Sequence, residues 1–203
     1  MKLYSFDISP NGKRANICAR EAGVTLEASP IDFAKGENRA PDYLAMNPMG
    51  KAPTLRDGDF VLWESAAMLC YIAETSESSL WPASPRARAD ALRWLFFCSC
   101  HIDPYFTTLM VERFIKARRA LPEDEVLTAS AEAWLARFVP IVDGQLEGRE
   151  HVLGRFGLAD IALGCTLELS PLVRFDLVPY QNVRGWLERV QARPSWRAST
   201  AGA

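Results

Sequence analysis

The chain has 203 residues, 49% hydrophobic and 24% charged, a balance that suits a globular protein of one large domain or two smaller ones sharing a core. A formal net charge of −2 argues against a general electrostatic affinity for nucleic acid or an anionic membrane surface. No apolar run approaches the roughly 20 residues needed to cross a bilayer, and MKLYSFDISP at the start lacks the long apolar stretch of a signal peptide. The expected location is therefore cytoplasmic. The 5 cysteines, at positions 18, 70, 98, 100 and 165, contain no CxxC pair. Zinc spacing and a disulfide framework are both poorly supported, and buried thiols in a reducing compartment are the expectation.

In chain order, KLYSF reads as a short strand. SPNGKRANICAREAG follows as a turn and then a helix, with Ala15, Ile17, Cys18 and Ala22 on related faces and Gly23 as its stop. TLEASPIDF is a second strand candidate, and PDYLAM is a short helix opened by Pro41. APTLRD and FVLW form a hairpin around DGD, and SAAMLCYIAET is a helix with Ser65 placed to cap it. The order is βαβ followed by ββα. The tract around Pro82 and Pro85 reads as a linker. Beyond it, helical periodicity runs through ARADALRWLFFCSCHIDPYFTTLMVERFIKARRA, LTASAEAWLARFVPIVDGQLEG, LADIALGCTLELSPLVRF and VRGWLERVQARP. Pattern alone predicts a small α/β domain over 1–78 and an all-helical domain over 86–203.

The βαβ–ββα order, with a proline at the mouth of its third strand, is what a thioredoxin-like domain needs. Joined to a helical domain, the whole chain resembles the cytosolic glutathione transferase family, and four motifs carry the resemblance. In NPMGKAPTL, Pro53 matches a proline that the family holds in the rare cis form. The resemblance implies that the backbone N–H and C=O of Ala52 pair with the peptide backbone of glutathione as an added strand would. A proline that merely ends a loop would explain the turn but not the NPxGKxP spelling. In WESAAMLCYI, Glu64 and Ser65 stand where a strand hands over to a helix. The free N–H groups of that first turn suit a carboxylate, implied here to be that of the γ-glutamyl end.

The third motif, SPNGKRA, lies where such folds place their reactive centre. It offers Ser9 as a hydrogen-bond donor to the glutathione sulfur, and Asn11 as a second donor. A free thiol has a pKa of roughly 8.5, and a donated hydroxyl with helix N-terminal amides favours its anion. The SPNG spelling is similar to bacterial nu-class members, which favour glutathione-dependent disulfide reduction. With no cysteine at position 9, the chain departs from the omega and beta classes. Tyr4 is read as core packing and Cys18 as buried. The fourth motif, FGLADIALG, has Asp160 at the third position of a capping box but Gly157 where a Ser or Thr is usual, and is read as structural.

Lys51 is the candidate cation for the glycine carboxylate of glutathione, and Asn38 is a polar candidate for the same group. Phe97, His101 and Tyr105 are spaced by four and share a helix face. That face is expected to line the pocket for an electrophile, with His101 able to donate a proton to a leaving group and Tyr105 beside it. The implied function is a glutathione transferase that conjugates reduced glutathione to a small hydrophobic electrophile. Glutathione would be the co-substrate, no metal would take part, and a homodimer is expected. A glutathione-dependent disulfide reductase and a non-catalytic binding module of the same fold are the alternatives.

Overall fold

The computed structural model describes residues 1–6 and 9–199. The chain divides into two compact units. One holds Met1–Ala83 together with the segment from Arg193 onward, and the other is Ser84–Ala192.

The first unit is a thioredoxin-like domain built on a four-stranded sheet with the order β2-β1-β3-β4. Strand β1 (Lys2–Ser5) pairs in parallel with β2 (Glu27–Pro30), which requires a crossover, and helix α1 (Pro10–Glu21) supplies it. Strand β3 (Thr54–Asp57) runs antiparallel to β1, with Leu3 opposite Leu55, and continues through a tight turn into β4 (Phe60–Trp63). Gly58 in that turn has φ 61°, a conformation that glycine adopts without a Cβ penalty. Helix α2 (Pro41–Met46) precedes β3, and helix α3 (Ser65–Thr75) follows β4. The core forms where α1 and α3 meet: Ala15, Ile17, Cys18 and Ala19 of one are buried, as are Met68, Leu69, Ile72 and Ala73 of the other. The Cys18 thiol donates to the Leu69 carbonyl at 3.6 Å.

The second unit is all-helical. The long apolar pattern after Ser84 does not fold as one uniform α-helix. It runs as α4 (Pro85–Phe97), a π turn (Cys98–Ile102), α5 (Asp103–Met110), a second π turn (Val111–Ile115) and α6 (Lys116–Arg118). Pro104 explains the first interruption, since it has no N–H to give to an α-helical ladder, and the widened turn instead bonds the Asp103 N–H to the Cys98 carbonyl. Helices α7 (Glu125–Gln145), α8 (Leu158–Leu167) and α9 (Gln181–Gln191) complete the unit. Every residue of α8 is buried, which is why its sequence is apolar on all sides.

Asp160 is 0% exposed and organises the start of α8. One carboxylate oxygen accepts from the Gly157 N–H at 3.0 Å, and the other accepts from the Val152 N–H at 3.0 Å and Trp186 Nε1 at 2.7 Å. The glycine at the cap thus leaves one half of a capping box intact, which accords with a structural role for this acid.

One boundary differs from the sequence reading, which assigned everything from 86 to 203 to the helical domain. Helix α10 (Pro194–Ala198) packs with the first unit. Glu21 at the end of α1 accepts from Arg193 at 2.8 and 2.7 Å and also from the Ser195 hydroxyl. Trp196 is 2% exposed, with the Lys13 ammonium 5.3 Å from its ring centroid. Helical periodicity marks such a segment as amphipathic but does not name the surface that receives it.

Candidate glutathione site

The candidate site assembles where three elements of the first unit end: the N-terminus of α1, the loop before β3 and the N-terminus of α3. At the first, Ser9 is the N-cap of α1, and its Oγ accepts from the Gly12 N–H at 3.1 Å. Because that oxygen is already an acceptor of a helix amide, the hydroxyl hydrogen is directed elsewhere and is available for donation. Ser9 is 3% exposed, whereas Asn11, the second residue of the helix, is half-buried. Gly12 permits this turn to press on β1: a Cβ at that position would lie 2.1 Å from Ser5 Oγ. The spelling SPNG therefore has a packing reason for its glycine as well as a chemical one for its serine.

At the loop, the Ala52–Pro53 bond is cis, and the β1–β3 ladder begins only at Thr54, so Ala52 stands outside it. Side chains brace the loop from beneath. Tyr43 Oη donates to the Lys51 carbonyl at 2.7 Å and lies 3.0 Å from Thr54 Oγ1. Asn47 Nδ2 reaches the same two oxygens at 2.8 and 3.2 Å. Asn38 is buried and donates to the Gly50 carbonyl at 2.7 Å, which makes it a further brace of this loop. Gly50 has φ 59°, and a Cβ there would lie 2.9 Å from the Asn38 carbonyl oxygen. The Lys51 side chain itself is exposed. Tyr43, Asn47 and Thr54 had not been singled out from sequence. Asn47 and Thr54 lie inside NPMGKAPTL, but Tyr43 could be found only from the packing of α2 on the loop.

At the third element the structure corrects the capping assignment. Glu64, not Ser65, is the N-cap of α3, and it makes no side-chain capping bond. Its φ of 75° is unusual for a residue with a Cβ, and such backbone conformations collect at functional sites. Ser65 is the first residue of α3, and its hydroxyl is turned toward α1. It donates to Asn11 Oδ1 at 3.1 Å and accepts from Arg14 Nη1 at 3.2 Å, while the same Nη1 donates to Asn11 Oδ1 at 2.9 Å. Arg14 is 2% exposed, and this triangle, buried on its Arg14–Ser65 side, bridges the two helix N-termini. Arg14 was not among the residues picked from sequence, since an arginine within a helix carries no signal that it will turn inward.

The geometry thus brings Ser9, Asn11 and Ser65 together around two helix starts whose unpaired amides favour an anion. The profile described as "Glutathione S-transferase, N-terminal domain" matches residues 1–74, and "Glutathione S-transferase, C-terminal domain" matches residues 91–194. The chain belongs to the glutathione S-transferase family. A glutathione S-transferase of Arabidopsis thaliana is 32% identical over 94% of this chain and 92% of its own length. Among solved structures, a theta-class glutathione S-transferase from Xanthomonas axonopodis pv. citri, with glutathione bound, superposes with a TM-score of 0.90 at 28% identity. That match covers 100% of this chain and 97% of the other. A family member from Pseudomonas fluorescens with two glutathione molecules bound has a TM-score of 0.87 at 28% identity, over 98% and 91% of the two chains.

The remaining sequence-selected residues of this glutathione S-transferase, His101 and Tyr105, lie in the second unit. Both rings approach Phe138 of α7, at centroid distances of 4.9 and 6.1 Å, and Phe97 lies 6.1 Å from the same ring. Tyr105 also stacks at 5.8 Å on Trp134. The π turn does not scatter the three side chains, because its wider winding still returns a residue to nearly the same side after four positions. No described helix is long and apolar enough to cross a membrane.

Proposed function

We propose that this glutathione transferase conjugates reduced glutathione to a small hydrophobic electrophile, stabilising the thiolate by hydrogen bonds from Ser9 and Asn11. The observation that carries the reading is the Asn11–Ser65 hydrogen bond at 3.1 Å, which joins a site for sulfur and a site for a carboxylate within one polar patch. In this reading the γ-glutamyl carboxylate sits on the first turn of α3 at Glu64 and Ser65, the backbone of Ala52 beside Pro53 pairs with the cysteinyl peptide, and Lys51 neutralises the glycine carboxylate. Asn38 acts indirectly, through the Gly50 carbonyl. The relatives solved with glutathione bound support the choice of ligand. No covalent enzyme intermediate is needed: thiol activation and proximity of the second substrate account for the chemistry.

The electrophile is assigned to the aromatic side chains around Phe138, with His101 and Tyr105 among them. We extend the proposal to a homodimer, since Phe60 and Trp63 stand 46% and 39% exposed on β4, an edge strand of the sheet, and place it in the cytoplasm. Asn11 two residues after Ser9 favours a second reading, a nu-like enzyme that reduces disulfides with glutathione. Calorimetric titration with reduced and oxidised glutathione, together with turnover of a chlorodinitrobenzene, separates the two. The transferase reading expects turnover of the aromatic halide and weaker binding in Ser65→Ala. Tight binding of oxidised glutathione without such turnover selects the reductase, and failure to bind either form sinks both.

A further inference from the structure

Asn11 is an unusual residue to ask for a directed hydrogen bond, because a primary amide can turn over and exchange donor for acceptor. Its orientation here is set by its neighbours. Oδ1 receives two hydrogens, from Arg14 Nη1 at 2.9 Å and from the Ser65 hydroxyl at 3.1 Å. A guanidinium only donates, so the flipped amide would oppose N–H to N–H inside a part-buried contact. Among the described residues nothing accepts from Asn11 Nδ2, which leaves both of its hydrogens for a ligand.

Ser65 cannot hold this arrangement alone once glutathione arrives. Its hydroxyl carries one hydrogen, which now goes to Asn11 Oδ1, and a carboxylate seated on the first turn of α3 competes for it. Arg14, whose guanidinium carries five N–H donors, is not limited to a single hydrogen. Its Nη1 donates to both Asn11 Oδ1 and Ser65 Oγ, so it retains the amide while its bond to Ser65 frees the hydroxyl hydrogen to swing toward the carboxylate. We infer that Arg14 is the positioning residue of this site: it locks the Asn11 amide with Nδ2 facing the glutathione sulfur, and becomes the sole lock when the γ-glutamyl carboxylate takes the Ser65 proton. Arg14 touches no reacting atom and acts through Asn11 and Ser65. The inference rests on the glutathione-site reading above and gives the buried arginine a function within it.

The test follows the pKa of enzyme-bound glutathione by thiolate absorbance in the wild type, Arg14→Met, Arg14→Lys, Asn11→Ala and the Arg14→Met/Asn11→Ala pair. Arg14→Met is expected to raise the bound-thiol pKa by about one unit or more, as Asn11→Ala does, with glutathione affinity within a few-fold of wild type. The double variant is expected to show no further rise. This step separates positioning from simple charge, since a through-space effect of the guanidinium would persist without Asn11. Arg14→Lys keeps the charge and loses the planar fork, so it should fail to restore the wild-type value. A wild-type pKa in Arg14→Met, or additive shifts in the pair, overturns the inference while leaving the site reading intact. A wild-type protein that binds no glutathione overturns both. Should Arg14→Met not fold, Arg14→Lys decides, alone and combined with Asn11→Ala. A raised thiol pKa in Arg14→Lys with no further rise in the pair supports the inference, and a wild-type value or additive shifts refute it.

Discussion

Replacing Ser9 by alanine removes two interactions, and the structure allows each to be weighed. The first is the cap: Oγ accepts the Gly12 N–H at 3.1 Å, and its loss should cost about 1 kcal/mol of folding stability. The second is the donor to the thiolate. A hydrogen bond to a charged partner contributes about 1.5–3 kcal/mol, and the 3% exposure of Ser9 favours the upper half of that range. That energy corresponds to about one to two units in the thiol pKa, and to a roughly 10- to 100-fold fall in kcat/KM at neutral pH. Glycine separates the two effects, because it replaces a serine cap at a cost of only a few tenths of a kcal/mol while offering no donor. Steady-state conjugation of a chlorodinitrobenzene at neutral pH, with a thermal melt of each variant, reads both. Ser9→Ala and Ser9→Gly should be equally slow, with Ser9→Gly the more stable. A Ser9→Gly enzyme that recovers nearly the wild-type rate would show that Ser9 serves the helix and not the sulfur.

Other outcomes follow from the same contacts. Tyr43→Phe deletes the bond to the Lys51 carbonyl and the contact with Thr54, and should weaken glutathione binding by about 5-fold or more in calorimetry; unchanged affinity would detach this brace from the site. Burial alone would raise the Glu21 carboxyl, but the hydrogen bonds from Arg193 and Ser195 and the Arg193 charge outweigh it and hold the pKa below the ordinary glutamate value of 4.5. A depressed carboxylate stabilises the fold above its unfolded pKa and loses that contribution as pH falls through the folded one. Thermal midpoints should therefore drop more steeply for the wild type than for Glu21→Gln in the acid range below 4.5, and parallel curves would discount this clamp. Burial pushes the Cys18 thiol up, and it pushes Cys70 up to about 11. Since Cys98 and Cys165 are also buried, a bulky thiol reagent at neutral pH should label exposed Cys100 first by peptide mass mapping; prior modification of Cys18 would contradict the packing of α1 on α3.

The fold was largely legible because its signals are local. Turn residues, proline positions and apolar periodicity placed the hairpin at DGD, a first helix within SPNGKRANICAREAG and the extent of α3. The site was legible where a motif ties residue to role, as in NPMGKAPTL. What escaped was information held by tertiary contacts. Ser65 looks like a cap in sequence, yet its hydroxyl is drawn across to Asn11 and Arg14. Asn38 reads from sequence as a ligand contact, and its bond to the Gly50 carbonyl, which braces the loop, could be found only from the folded chain. The helix after Arg193 continues the helical grammar of the second unit, yet Glu21 and a buried Trp196 tie it to the first. The first π turn was hidden for a related reason: Pro104 signals a break, but whether a helix stops, kinks or widens depends on what packs around it.

The central claim is that this protein activates the thiol of glutathione at the α1 N-terminus. Its most direct test is a titration of the wild-type protein with reduced glutathione across pH, following thiolate absorbance. Ionisation of the bound thiol well below the free value of roughly 8.5 is the predicted result. Saturable binding with ionisation at the free value would contradict it, leaving a site that holds glutathione without activating it.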